Sequence, residues 1–235
     1  MASDSRPILI SFSGIDGSGK STQIERLHSR LLQRQLRVVR LAFWDNVVVL
    51  PRFRSKITHR VLGGEQGIGE PGKPIRRNDK NARGWYLILA RSPFFLLDVL
   101  SLRRVVREAA RGNPDVIIFD RYIYDQIAHI PDNLAGRLAR RWLLKLAPTP
   151  DVAYLLDADP EIATARKPEY PIEFVRKYRD DYFGLCALAD EIVIIAPGSI
   201  ETVEAQILSE FEKHFSPSQI NSSSVSNPRP QRVSA

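Results

Sequence analysis

Residues Gly14 to Ser21, GIDGSGKS, combine three glycines with a lysine and two serines directly behind a short apolar run. They fit the pattern G-x-x-x-x-G-K-[ST], whose glycines let successive backbone N–H groups turn toward phosphate oxygens. In such a loop the lysine reaches the terminal phosphates and the serine hydroxyl ligates Mg²⁺. A turn that only joins a strand to a helix is the alternative, although it leaves Lys20 without a role. The pattern predicts that the loop binds a nucleoside triphosphate.

A second polar group, Asp120-Arg121-Tyr122, closes the apolar run VIIF. A carboxylate at the end of a buried strand can hold Mg²⁺ through its water ligands, and an arginine beside it can present a planar pair of donors to a phosphate. A surface Asp–Arg pair that closes the strand is the alternative. Parallel sheets bind ligands at the carboxyl ends of their strands, which favours the first interpretation. Asp120 is therefore a candidate metal ligand, and Arg121 a candidate ligand of an acceptor phosphate.

The elements that must position these groups alternate along the chain. Apolar, β-branched runs predict buried strands, and helical periodicity in the segments between them predicts helices. The predicted strands are 7–14, 37–44, 115–122, 151–159 and 191–198. The predicted helices are the stretch with Ile24, Leu27, Leu31 and Leu32 on one face, followed by 84–110, 132–147, 172–189 and 200–214. This alternation predicts an α/β fold, a parallel sheet with helices on both faces.

Composition limits the possible functions. The chain has 235 residues, of which 43% are hydrophobic, a length and content that favour one domain. A net charge of +7 indicates anionic partners, but no RNA-binding or zinc-finger pattern supports nucleic acid. A single cysteine, Cys186, fits a reducing compartment, and no long uncharged apolar run suggests a membrane span. We therefore expect a soluble, cytoplasmic protein that binds a small phosphorylated ligand.

Two segments differ from this alternation. Residues 46–83 mix glycines and prolines with many arginines and lysines, which predicts a long basic loop. Residues 216–235 contain many serines and prolines and almost no apolar side chains, which predicts a disordered tail. The folded domain should therefore span 1–215.

A phosphate-binding loop alone does not fix the phosphoryl acceptor. A GTPase needs an N-K-x-D segment, and the nearest string, NDKN at 78–81, neither fits nor follows a strand. Motor and AAA-type ATPases normally need a longer chain. A small kinase remains.

Three blocks in order, the loop with Asp16 followed by GSGKSTQ, then DRY, then YLLDADPEIATARK, resemble the thymidylate kinase family of nucleoside monophosphate kinases. The resemblance extends over most of 7–215. It implies a three-layer P-loop kinase fold with a five-stranded parallel sheet in the order 2-3-1-4-5. It also implies transfer of the γ-phosphoryl group of MgATP to thymidine monophosphate (dTMP), giving the diphosphate, and a homodimer.

The same resemblance implies roles for single residues. Gly14, Ile15, Asp16, Gly17, Ser18, Gly19, Lys20, Ser21 and Thr22 would bind ATP. Ser21 and Asp120 would hold Mg²⁺, Arg121 would hold the acceptor phosphate, and Asp16 would help to position the acceptor. Some family members carry a catalytic arginine where this chain has Gly17, so the cations would come from Arg166 and Lys167 in a mobile lid at about 160–172. A solvated helix end is the alternative for these two residues.

The acceptor segments depart from the family pattern. FWDNVVVLPRFR follows the second predicted strand in place of the family's arginine-containing segment, and Asp98-Val99 stands where an Asp-Arg pair is usual. Asp125 replaces the family's serine after DRY. We expect Arg91, Arg121, Tyr122 and Asp125 to contact the acceptor, with the basic loop 46–83 supplying further cations. A same-fold kinase of a nucleoside or phosphorylated metabolite, and a nucleotide-dependent regulator without transfer activity, remain alternatives.

Overall fold

The computed structural model describes residues 6–49 and 85–215, with the side chains of 85–92 and His214 left undescribed. The predicted basic loop from residue 50 onward, the tail 216–235 and the side chain of Arg91 therefore lie outside the described residues.

Five parallel strands form one sheet in the order β2-β3-β1-β4-β5, which confirms the predicted fold class. The strands are β1 Ile8–Ser13, β2 Val38–Ala42, β3 Val116–Asp120, β4 Val152–Leu156 and β5 Ile192–Ile195. The helices are α1 Lys20–Gln33, α2 Trp85–Arg111, α3 Tyr124–Ile127, α4 Leu134–Leu146, α5 Pro160–Arg166, α6 Ile172–Cys186 and α7 Ile200–His214. The central strand β1 pairs through Ile10 with Ile118 of β3 and with Val152 of β4.

The sheet separates two apolar cores, because successive side chains of a strand point to opposite faces. In β3, Ile117 and Phe119 pack on one face with side chains of α2 and α6, whereas Ile118 packs on the other face with α1 and α7. The central strands are buried on both sides, as their continuous apolar runs predict. Helices therefore cover both faces of the sheet.

The second predicted strand extends too far. β2 ends at Ala42, and Phe43–Val47 form a π-helical turn instead of continuing the strand. The Asn46 side chain accepts a hydrogen bond from the Ala42 backbone N–H at 2.7 Å, and Phe43 is completely buried. An apolar residue at this point fits a strand and a tight turn equally well, so the hydrophobic run could not mark the strand's end.

The carboxyl ends of β1, β3 and β4 lie at one edge of the sheet, because these strands are parallel neighbours. The glycine loop follows β1, and Asp120 is the last residue of β3. The fold thus brings both predicted polar groups to the same edge. No helix within the described residues 6–49 and 85–215 is long and apolar enough to cross a membrane.

Candidate active site

The glycine loop joins the end of β1 to the first residue of α1, Lys20. Gly14, Gly17 and Gly19 have φ angles of +141°, +85° and +89°, in a region that other residues rarely adopt. A Cβ atom on Gly17 would lie 2.4 Å from the backbone oxygen of Ala163 in α5, whereas one on Gly19 would meet nothing within 4 Å. Gly17 is therefore required both by its backbone angle and by the close approach of α5.

Lys20 is buried within the loop that it follows. Its Nζ atom donates hydrogen bonds to the backbone oxygens of Gly14 at 3.0 Å and Ile15 at 2.8 Å. Burial and the nearby Arg121 charge lower the pKa of Lys20 to about 8, against the opposing effect of three carboxylates. The ammonium group satisfies its hydrogen bonds with carbonyls of its own loop, at the position from which a loop lysine reaches phosphates.

The two predicted metal ligands flank the loop. Ser21 and Thr22 are exposed in the first turn of α1. Asp120 pairs in register with Phe12 of β1 and Ala42 of β2, and its charge acts on Lys20. Among the described residues, no group of three or more His, Cys, Asp or Glu side chains could hold a metal ion alone. A hydroxyl and a carboxylate nevertheless suit Mg²⁺, which binds few protein oxygens and completes its shell with water and phosphate.

Arg121 connects the loop with the end of β3. Its Nη1 donates to Asp125 Oδ1 at 3.0 Å, and its Nη2 donates to Asp16 of the glycine loop. Its φ angle of +63° is unusual for a residue with a side chain. Although burial opposes the charged form, the carboxylates of Asp125 and Asp16 raise the pKa of Arg121 above its usual value. The guanidinium group thus lies between two carboxylates, one of them in the nucleotide loop.

The cations around Asp16 lower the pKa of its carboxyl group. Burial alone would raise the pKa of Asp16, but the charges of Arg121, Lys20 and Lys167 outweigh burial, so its pKa lies below the usual value. Its carboxylate is therefore ionised at neutral pH. The loop brings this anion next to Arg121, and the acceptor-positioning role expected for Asp16 stays a prediction.

Asp125 and Tyr122 are oriented toward the interior. Asp125 is 3% exposed, and its two oxygens accept hydrogen bonds from Ser13 Oγ, Tyr122 N, Arg121 Nη1 and Tyr182 OH at 2.7 to 3.0 Å. Tyr122 is completely buried, and its hydroxyl donates to the Pro148 backbone oxygen at 2.8 Å. A direct contact of either side chain with an acceptor, as expected from the sequence, would require it to give up these partners.

The predicted lid consists of α5, a short connection and the start of α6. Arg166 is exposed at the last residue of α5 and forms no ion pair with any described residue. Lys167 Nζ lies 3.2 Å from Glu169 and 4.0 Å from Asp16, so this cation reaches the edge of the glycine loop. Arg176 of α6 donates to Glu161 of α5, which joins the two helices. The structure thus brings Lys167 toward Asp16 and leaves Arg166 available.

Two residues of the site are absent from the sequence predictions. Ser13, the last residue of β1, and Tyr182, in α6, both donate to Asp125. Ser11 and Ser13 interrupt the apolar run of β1, and the position of Ser13 directly before the loop is a signal that could have identified it. Tyr182 lies 57 residues from Asp125, and no local pattern connects the two.

A scan against protein-family models finds no match for this chain. Comparison with curated proteins finds several relatives. A probable thymidylate kinase of Thermococcus kodakarensis is 31% identical over 218 residues, which cover 87% of this chain and 97% of that protein. A probable thymidylate kinase of Methanocaldococcus jannaschii is 27% identical over 216 residues, covering 86% of this chain and 94% of that protein.

A solved structure supports the fold independently. The crystal structure of thymidylate kinase from Ehrlichia chaffeensis matches 88% of this chain and 100% of its own, with a TM-score of 0.53 and 18% sequence identity. At 18% sequence identity, this structural similarity shows only that the two proteins share an architecture. The family relationship rests on the sequence relatives, above all the Thermococcus kodakarensis protein at 31% identity.

Proposed function

This chain belongs to the thymidylate kinase family, and from that premise we propose that it transfers the γ-phosphoryl group of ATP to dTMP, giving ADP and dTDP. One observation carries the proposal beyond the names of the relatives. Arg121, a candidate acceptor ligand, donates directly to Asp16 of the nucleotide loop. Donor and acceptor groups thus meet at one sheet edge, as direct transfer between two bound nucleotides requires.

The donor is held by the glycine loop. Backbone N–H groups of residues 14–19 and the N-terminus of α1 supply partial positive charge to the triphosphate. Lys20 exchanges its bonds to the Gly14 and Ile15 carbonyls for phosphate oxygens, and the phosphate charge favours its protonated form. Thr22 supplies a further hydroxyl near the phosphates.

Ser21 and Asp120 are the residues that would hold Mg²⁺. Their oxygens fit the ion, Ser21 directly and Asp120 through water. When bound, Mg²⁺ would neutralise negative charge on the triphosphate of ATP during the transfer. The chain itself contributes the placement of both oxygens, one at the start of α1 and one at the end of the neighbouring strand β3.

Arg121 orients the acceptor phosphate, and the two cations at the C-terminal end of α5 cover the transferring group. Negative charge spreads over three phosphoryl oxygens during transfer, so a cation that approaches then lowers the barrier. Arg166 and Lys167 serve this role because Lys167 already lies near Asp16 and Arg166 has no competing described partner. The reaction needs no covalent intermediate with the protein.

Purified protein and a panel of acceptors test this function. ADP formation from MgATP should be saturable in dTMP, with a higher kcat/KM than with other nucleoside monophosphates. Thymidine, which lacks the phosphate for Arg121, should be the matched poor acceptor. If no nucleoside monophosphate raises ADP formation above the rate with ATP alone, the proposed function is wrong.

We further propose that the active form is a homodimer. Large apolar side chains are exposed on the outer faces of two helices that pack together, α2 and α4. They are Leu96, Leu97, Leu100, Leu134, Leu138 and Trp142. Light scattering should give twice the chain mass of 26.6 kDa, and the Leu100→Glu change should lower it. A single-chain mass at micromolar concentration would exclude the dimer.

We propose the cytoplasm as the location. The chain has one cysteine, Cys186, so no disulfide can form within it. Burial raises the pKa of the Cys186 thiol, which makes it a weak nucleophile. Detection of the protein in a cytoplasmic fraction checks this proposal, and its recovery with a membrane or extracellular fraction would contradict it.

A further inference from the structure

Asp125 is a buried carboxylate with a complete set of partners. It accepts hydrogen bonds from the end of β1 through Ser13, from the turn after β3 through Tyr122 N, and from α6 through Tyr182. The fourth donor is Arg121. A carboxylate offers about four acceptor sites, so none remains for a ligand.

Arg121 divides its guanidinium group between two unlike carboxylates. The partner at Nη1, Asp125, is 3% exposed and fixed by three other donors. The partner at Nη2, Asp16, is partly exposed, with 29% side-chain exposure, and belongs to the glycine loop. Breaking the Arg121–Asp125 bond therefore costs much free energy, whereas solvent or a ligand can replace the Arg121–Asp16 bond more easily.

We propose that Asp125 is a positioning residue for the acceptor. It holds Arg121 by one nitrogen so that the other nitrogen can exchange Asp16 for an acceptor phosphate. This inference rests on the proposed function and assigns a role to a residue that stands where the family has serine. A serine hydroxyl carries no charge and is too short to engage both Arg121 and Tyr182 as Asp125 does.

The charge balance sets the direction of the expected effect. Without the Asp125 carboxylate, both ends of the Arg121 fork can pair with Asp16, since a planar guanidinium binds a carboxylate well in a bidentate manner. The acceptor phosphate would then have to displace two bonds instead of one. Removing the Asp125 carboxylate should therefore lower kcat/KM for the acceptor. This holds even though the loss of one negative charge near Arg121 would by itself favour an anionic acceptor.

Asp125→Asn tests this role because it keeps the size of the side chain and removes its charge. We expect kcat/KM for dTMP to fall about 10- to 100-fold, as for other losses of positioning, while the KM for ATP stays within about two-fold. Tyr124→Phe is the matched control. Tyr124 is also buried in α3 and donates to a carboxylate, Glu191, but does not touch Arg121. The Tyr124→Phe change should lower thermal stability and leave kcat/KM for dTMP and the KM for ATP within about two-fold of wild type.

Arg121→Lys separates positioning from structural damage. Lysine keeps the charge but carries it on a single nitrogen, so it cannot hold the two carboxylates on separate nitrogens of a planar fork. If Asp125 acts through the arginine fork, adding Asp125→Asn to Arg121→Lys should change kcat/KM for dTMP by no more than about two-fold. Equal losses for ATP and dTMP, a gain in dTMP affinity, or a full second loss in the double variant would each overturn the proposal.

A second measurement does not depend on the acceptor. Thermal unfolding of wild type, the two single variants and the double variant should show strongly non-additive midpoint shifts, because both changes break the same pair. Additive shifts would overturn the inference even if dTMP is not the substrate. Conversely, the wild-type protein could show no dTMP-dependent activity while the unfolding midpoints remain non-additive. That result would refute the proposed function but would still support the Arg121–Asp125 pair.

Discussion

The glycine loop and the Arg121 cluster lie at the same sheet edge, but they are built in different ways. The proposed donor contacts are backbone N–H groups of consecutive residues, 14–19, in a loop whose shape depends on three glycines with positive φ angles. The cluster is built from side chains contributed by β1, the turn after β3, α3 and α6. The glycine loop is therefore continuous in the sequence, whereas the Arg121 cluster exists only in the folded protein.

This difference has a chemical consequence. The loop presents N–H groups that suit any polyphosphate. The Arg121 cluster contains two carboxylates for one guanidinium group, and under the proposed function its charge and shape would select among acceptors. We expect substitutions in the loop to affect all reactions of the protein and those in the cluster to affect the acceptor alone.

The largest effect should come from Lys20→Ala. Removal of the ammonium group takes away the charge that we propose contacts the transferring phosphates, and we expect kcat/KM for ATP to fall about 1000-fold or more. The fold should remain, because the buried ammonium is costly, as its lowered pKa indicates. Steady-state kinetics and a thermal unfolding curve measure the two results. Retention of most activity would remove Lys20 from the donor site.

Arg166→Ala should have the next largest effect. If this exposed cation approaches the phosphoryl group only during transfer, kcat should fall about 10- to 100-fold with little change in the KM of either substrate. Arg176→Ala in the neighbouring helix is a control, since Arg176 pairs with Glu161 and Glu173 away from the loop. An equal loss in both variants would indicate a general disturbance of α5 and α6.

The pH dependence of ATP binding should follow Lys20. In the free protein Lys20 loses its proton as the pH rises through about 8. The proposed contact of Lys20 with the phosphates of ATP needs the charged form. The Kd for ATP should therefore be nearly constant between pH 7 and 7.5 and then rise by up to about ten-fold per pH unit toward pH 9.5. Calorimetry on wild type and Lys20→Arg measures this, because arginine stays charged. A flat profile in the wild type would contradict the role of the lysine charge.

The smallest expected effect is a difference in thermal stability between the Gly17→Ala and Gly19→Ala variants. Alanine at either position costs about 1–2 kcal/mol because both have left-handed backbone angles. Only at Gly17 does the new Cβ also collide with α5, 2.4 Å from the Ala163 oxygen. The unfolding midpoint of Gly17→Ala should thus lie several degrees below that of Gly19→Ala, both without nucleotide. Equal midpoints would show that α5 does not rest on the loop in solution.

The shape of the glycine loop could be predicted from the sequence because the residues that determine it are neighbours in the chain. A strand, the six loop residues 14–19 and the start of a helix form a unit whose geometry depends on local glycines, and the alternation of strands and helices gives the sheet. The extent of β2 could not be predicted, because the side chain of Asn46 ends the strand by a hydrogen bond to Ala42. Apolar patterning carries no information on such a bond.

The environment of Asp125 could not be predicted for a different reason. The sequence shows a carboxylate five residues after Asp120, which suggests a group that faces a ligand. Its burial follows from Tyr182 and Ser13, which reach it from α6 and β1. Contacts between distant residues depend on how helices pack on the sheet, and spacing along the chain does not encode them locally.

Transfer of the labelled γ-phosphoryl group of ATP in a single turnover tests the central claim most directly. With enzyme in excess over ATP and saturating dTMP, the label should appear in dTDP at the rate at which ADP forms. The Lys20→Ala variant should form neither product in the time in which the wild-type reaction is complete. Release of the label as inorganic phosphate at a rate that dTMP does not change would contradict the account.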